Sequence, residues 1–190
     1  GAFISARKSE MQYLIDDMSR KDEYALAGTG RGILAFVNES PSGVNIAVDN
    51  AGGITHTSFG NRFMSKGMFI AAINPNTGGI RTSIRKVASV AAGGASVDFD
   101  VATYTGWADN DFLVQAANSS VTDVLDTSYE HAWTGLMGLV DDNTYVANYF
   151  GTVRADVPAY SSYVSASTGA LSTDLIQRVS DIVDQKLGGK

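Results

Sequence analysis

The sequence has no cysteine, only three prolines and only two histidines in 190 residues. Without cysteine there are no disulfides, no thiolate metal sites and no thiol nucleophile. No apolar run reaches the length of a membrane-spanning helix. The first residues lack the basic start and continuous apolar core of a signal peptide. His56 and His131 lie far apart, and neither has a partner at metal-ligand spacing. Both read as ordinary surface or core histidines. No G-x-S-x-G elbow occurs, and no Ser-His-Asp set is singled out.

What is present suits a folded domain with a real core: 44% hydrophobic residues, 18% charged and twenty glycines. Net charge is −6, unevenly spread. Residues 1–49 carry five bases and seven acids, and residues 98–190 carry four bases and thirteen acids. Between them, residues 50–97 hold Arg62, Lys66, Arg81, Arg85 and Lys86 and no acid. A basic middle in an acidic chain can attach to copies of itself, although solvated faces account for such runs equally well. The candidate inter-subunit contacts are these five bases against Asp109, Asp111, Asp141 and Asp142 of an adjacent copy. The rival partner of the bases is nucleic acid.

Apolar residues at Phe3, Ile4, Met11, Leu14, Ile15 and Met18 recur at helical spacing, predicting an amphipathic helix from Phe3 to Leu26. Its Met11, Leu14, Ile15 and Met18 face is expected to be buried, against the C-terminal helix or a sheet. Gly28-Thr29-Gly30-Arg31-Gly32 reads as the helix stop. It does not suit a dinucleotide, because such a loop follows a strand and opens a helix. Ser65-Lys66-Gly67 lacks the glycine pattern of a phosphate loop.

Short strands then follow. Ile33–Val37, Met68–Ile73 and Phe112–Ala116 are continuous apolar runs. Val44–Val48 and Val97–Val101 alternate, and Ile84–Val90 is a mixed strand. With glycine-rich turns between them, they predict a small barrel or sandwich over residues 33–118. Thr127–Val140 suits a short helix, Val153–Val157 an extended segment and Tyr160–Gly169 a polar loop. Leu175, Ile176, Val179, Ile182 and Val183 define a last helix, with Ser172 or Thr173 as its cap.

Asp109-Asn110-Asp111 and Asp141-Asp142-Asn143 begin like calcium loops. Both fail at the glycine position (Val114, Val146) and at the closing acid (Ser120, Thr152). Asp98 and Asp100 share a strand face and read as solvent-facing. Asn38-Glu39-Ser40 and Asn118-Ser119-Ser120 fit the glycosylation pattern, which is common by chance.

A long helix ending in Ala25-Leu26-Ala27-Gly28-Thr29-Gly30-Arg31-Gly32 resembles the spine helix and glycine loop of tailed-phage major capsid proteins. These have the Hong Kong ninety-seven type of fold, which encapsulins share. Members with a β-rich insertion are also resembled by Arg62-Phe63 with Gly67–Ile70, by Gly138–Tyr145 and by Tyr149–Arg154. Leu171–Gly189 looks like the helix that opens their axial domain. The resemblance implies an α+β chain: spine helix and loop over 1–32, barrel-like insertion over 33–118, and peripheral remainder with the start of the axial-domain helix over 119–190. It implies a subunit of an icosahedral bacteriophage capsid, assembled in the host cytoplasm and placed in the virion. Its partners would be copies of itself, scaffolding, portal or decoration proteins, and DNA held non-specifically, with no cofactor, metal, membrane or catalysis. In the family an arm and an extended loop precede the spine helix, and the axial domain would continue after Lys190. The chain is therefore expected to be a fragment of a longer polypeptide, or its ordered part. An encapsulin-like cargo cage is the near alternative. A secreted or surface carbohydrate-binding module, stacking sugars on Tyr104, Trp107, Tyr160 and Tyr163, is the alternative from another class, and an enzyme is the third.

Overall fold

The structure, a computed structural model, describes residues 2–55, 59–81, 84–101, 106–142, 144, 146–149, 152–157, 162 and 172–186. The fold is mixed α+β, and the chain divides into two compact units, residues 1–135 and 136–190.

The first unit begins with α1 (Ala2–Ala27), followed by six strands: β1 (Ile33–Val37), β2 (Asn45–Asp49), β3 (Phe69–Ile73), β4 (Arg85–Val90), β5 (Ser96–Phe99) and β6 (Phe112–Ala116). They close into a barrel in the order β1-β2-β5-β4-β3-β6, with every neighbouring pair antiparallel. Closure leaves no free sheet edge in the ring.

The two kinds of strand pattern have different physical origins. Ile46 and Val48 in β2, and Val97 and Phe99 in β5, point into the barrel, while their neighbours are more exposed. These strands bury one face, hence the alternation. In β1, β3 and β6 both faces are covered. Val37, Ile70, Ala72 and Leu113 fill the interior. Ile33, Ala71, Ile73, Phe112 and Val114 form a second core outside, under Val121, Val124 and Tyr129. A strand buried on both faces reads as a continuous apolar run.

That outer cover places residues 119–135 with the barrel, where the sequence reading ended the β unit at 118. Thr127 bridges Ala116. Ser128 donates its N–H to the Gln115 carbonyl at 2.8 Å and its hydroxyl to the Gly32 carbonyl at 2.7 Å. No helix forms over 127–135, because Glu130 takes a left-handed φ of 56°.

α1 ends as its Gly28 N–H reaches the Tyr24 carbonyl at 2.9 Å. Within the loop read as the helix stop, the left-handed glycines are Gly30 and Gly32 (φ 88° and 70°). Gly32 also allows a close approach: a Cβ there would lie 1.6 Å from the Ser128 carbonyl oxygen.

In the second unit only Leu136–Leu139 of the predicted Thr127–Val140 helix is helical, forming α2. β7 (Asn148–Tyr149) pairs with β8 (Thr152–Val153), and one 3-10 turn at Arg154–Asp156 replaces most of the expected extended segment. α3 (Thr173–Lys186) is capped by the Ser172 hydroxyl, which accepts the Leu175 N–H at 3.2 Å. Apart from Ser162, the predicted loop over 160–169 lies outside the described residues.

Candidate functional site

α1 meets the barrel near its end, through Glu23 and Tyr24. Tyr24 packs its ring on Phe63 at 5.0 Å and donates its hydroxyl to the Ile33 carbonyl at 3.0 Å. Burial pushes its phenol well above the ordinary value. Glu23 pairs with Arg62, both exposed. Tyr13, Asp16 and Lys21 line an open groove of about 760 Å³ whose other wall is Lys66, Met68, Phe69 and Ala117. Met11, Leu14, Ile15 and Met18 centre roughly 130° round the helix from Tyr24, at about 100° per residue. All four are exposed, Leu14 by 60%.

The expectation that this stripe is buried is therefore corrected. The unit's strongly apolar strand faces are spent on filling the barrel and packing residues 121–129, and α1 touches the barrel through Tyr24 and the Glu23–Arg62 pair. Within α3, Ile176 is also exposed.

The nine candidate contact residues divide by burial. Arg81 makes a two-pronged pair with Asp111 (Nε to Oδ2 3.0 Å, Nη2 to Oδ1 2.9 Å), and Asp111 also accepts the Ala108 N–H at 2.7 Å. Asp111 is fully buried, so its carboxylate is satisfied within the chain, and the expectation that it faces another copy is withdrawn. Asp141 is withdrawn for the same reason: it is buried, accepts the Val146 N–H at 2.8 Å and lies 3.8 Å from Arg154. Arg85 is half-buried and donates to the Ile84 carbonyl at 3.1 Å. Lys66 and Lys86 are exposed, with the Lys86 ammonium 5.8 Å from the centre of the Phe69 ring. Asp109 is exposed and accepts the Glu39 N–H at 2.9 Å, while Asp142 accepts the Thr144 N–H at 3.2 Å. Lys66, Lys86 and Asp109 thus keep outward charge, Asp142 is half-buried, and Arg62 is held to Glu23.

Other readings change as well. Trp107 is buried edge-on against Phe99 at 5.6 Å, which corrects its assignment as a sugar-stacking residue. Tyr104, Tyr160, Tyr163 and His56 lie outside the described residues. His131 is exposed, and no group of three or more acids and histidines suited to a metal occurs among the described residues. Nor is any described helix long and apolar enough to cross a membrane.

Two strand carboxylates are perturbed in opposite senses. Hydrogen bonds from the Ser89 hydroxyl and the Asn45 amide, both at 2.6 Å, hold Asp98 below the usual carboxylate range. Partial burial and then the charge of Asp109 push Asp49 up.

Residues that the sequence did not single out stand on the surface. Trp133 is 84% exposed beside Gly135, whose backbone lies against the last turn of α1. Leu125 is 68% exposed between Asp123 and Asp126. Phe59 is exposed with a left-handed φ of 60°. An apolar residue flanked by turn-forming acids was the available signal for Leu125. Trp133 had none.

No protein-family model, curated protein or solved structure matches the chain.

Proposed function

We propose that the chain is a structural subunit of an icosahedral bacteriophage-type capsid, built on part of the phage-capsid fold and self-assembling around a genome. The observation that carries this reading is the apolar stripe of α1, which the single chain leaves exposed to solvent. A helix of 26 residues that exposes Met11, Leu14, Ile15 and Met18 leaves a contiguous apolar patch of the kind that marks an interaction surface. The closed barrel supports the same reading: with no free strand edge in its ring, copies meet through side-chain surfaces. Burial of Trp107 counts against the carbohydrate-binding alternative.

The test is particle size. Light scattering and negative-stain imaging of the purified chain, and of any longer polypeptide that contains it, should show large closed assemblies or their capsomer-like intermediates. A protein that stays monomeric at every concentration and in the longer polypeptide would overturn the proposal. Nucleic acid co-purifying inside the particles separates a capsid from a cargo cage.

A further inference from the structure

Beside the groove between α1 and the barrel stands a feature shaped to fill it. The groove's wall residue Ala117 donates its N–H to the Asp126 carbonyl at 3.2 Å, so the turn Val124–Asp126 borders the groove directly. That turn is rigid. The Asp123 carboxylate caps it by accepting the Leu125 N–H at 3.0 Å, and the Thr127 hydroxyl donates to the Val124 carbonyl at 2.6 Å. Val124 is packed into the outer core, which leaves Leu125 standing out between two exposed carboxylates. The groove offers the complement: Met68, Phe69 and Ala117 among its apolar lining, with Lys21, Lys66 and Asp16 as the charged residues among the described ones that line it.

We infer that the groove binds the Leu125 turn of a second copy of this chain. Leu125 enters against Met68 and Phe69, and Asp123 and Asp126 meet Lys21 and Lys66. Because knob and groove adjoin on one face, a two-fold arrangement lets each copy give and receive at once, forming an isologous contact. A turn of the same chain cannot fill its own groove while Asp126 is tied to Ala117 at the rim. The charge signs choose the partner, since a second copy supplies two acids to a groove whose described lining holds two lysines and one acid. The inference rests on the self-association proposed above but names a contact separate from the α1 stripe.

The chain has no cysteine, so crosslinking reads this contact directly. Leu125→Cys and Lys66→Cys chains, carrying different affinity tags, are mixed and oxidised. A disulfide-linked dimer carrying both tags is expected, well above the yield of Leu125→Cys mixed with Asn76→Cys on the β3–β4 loop. Light scattering of the untagged chain gives the second reading. Leu125→Asp should raise the dissociation constant at least tenfold, Lys66→Glu should weaken association, and Lys66→Glu with Asp126→Lys should restore it. Equal yields from the two cysteine pairs, or association unmoved by Leu125→Asp, overturn the contact. If Leu14→Ser abolishes assembly while Leu125→Asp does not, the knob and groove fail and the shell reading stands. A wild-type chain that never associates overturns both, as does a groove that captures an acidic peptide or nucleic acid while copies stay apart.

Discussion

Arg81, in the loop between β3 and β4, grips Asp111, just before β6, through two parallel hydrogen bonds at 3.0 and 2.9 Å, with the carboxylate sealed from water and the guanidinium still partly exposed. The geometry makes the two partners unequal. Replacing Arg81 by Ala leaves a buried carboxylate without its countercharge, which costs about 3 to 5 kcal/mol. Replacing Asp111 by Ala costs less, because Arg81 has access to solvent. Denaturant unfolding of the two variants should show this order, and equal losses would show that the pair acts only through packing.

Tyr24 ties the end of α1 to the first strand, and its loss can be read in two ways. Tyr24→Phe removes the hydrogen bond to the Ile33 carbonyl, worth about 0.5 to 1.5 kcal/mol. Burial raises the phenol's pKa in the folded state, whereas in the unfolded chain it ionises near about 10. The unfolded chain therefore loses the proton first, and stability falls as pH rises past that point. Unfolding midpoints followed from neutral into alkaline solution should decline more steeply for the wild type than for Tyr24→Phe.

Much of the first unit was legible locally. The alternation at Val97, Asp98 and Phe99 and the continuous run at Ile33–Val37 report one covered face and two, respectively. Ring closure was not legible, because β2 with β5 and β3 with β6 are pairings over long sequence separation that no local pattern encodes. The same limit hid the Arg81–Asp111 pair, whose members stand 30 residues apart. Periodicity identified the stripe on α1 but not its direction: helical spacing says which residues share a face, not what lies opposite them. Trp107 misled for a related reason, since an aromatic in a polar loop sequence carries no mark of the Phe99 ring it meets.

Asp49 should make the barrel less stable as acid is removed. Its pKa is raised in the folded state, first by partial burial and then by Asp109. Between the unfolded value near about 3.9 and that raised value the folded chain binds more protons, so this residue's contribution is lost as pH rises through the window. Asp49→Asn removes the dependence. The variant should gain on the wild type from acid to neutral pH in thermal unfolding, and a constant difference would contradict the assignment.

Arg154 organises the second unit. It is fully buried and donates Nη1 to the Asp141 carbonyl at 2.7 Å and Nη2 to the Gly138 carbonyl at 2.6 Å, joining the end of α2 to the strand pair. Lysine offers a point charge and no fork, so Arg154→Lys cannot hold both carbonyls in this geometry. A loss of about 3 kcal/mol or more is expected, seen as faster amide exchange over residues 136–157 with barrel amides unchanged. Uniform protection in both units would refute this role.

Leu14 separates folding from assembly most cleanly. Were it a core residue, Leu14→Ala would cost about 2 to 5 kcal/mol. At 60% exposure in the single chain it should change the stability of the isolated subunit by only about 0.5 kcal/mol or less. In an assembled particle the same side chain is proposed to lie between copies, where truncating a central apolar contact costs more than about 1 kcal/mol. That cost repeats at every equivalent interface. Leu14→Ala should therefore leave the unfolding midpoint of the monomer unmoved while shifting the assembly threshold to higher protein concentration, and Leu14→Ser should do so more strongly. Unfolding and light scattering on the same samples give the two readings. A large loss of monomer stability would mean that the stripe is covered within the chain. No change in either measurement would mean that α1 presents it to nothing.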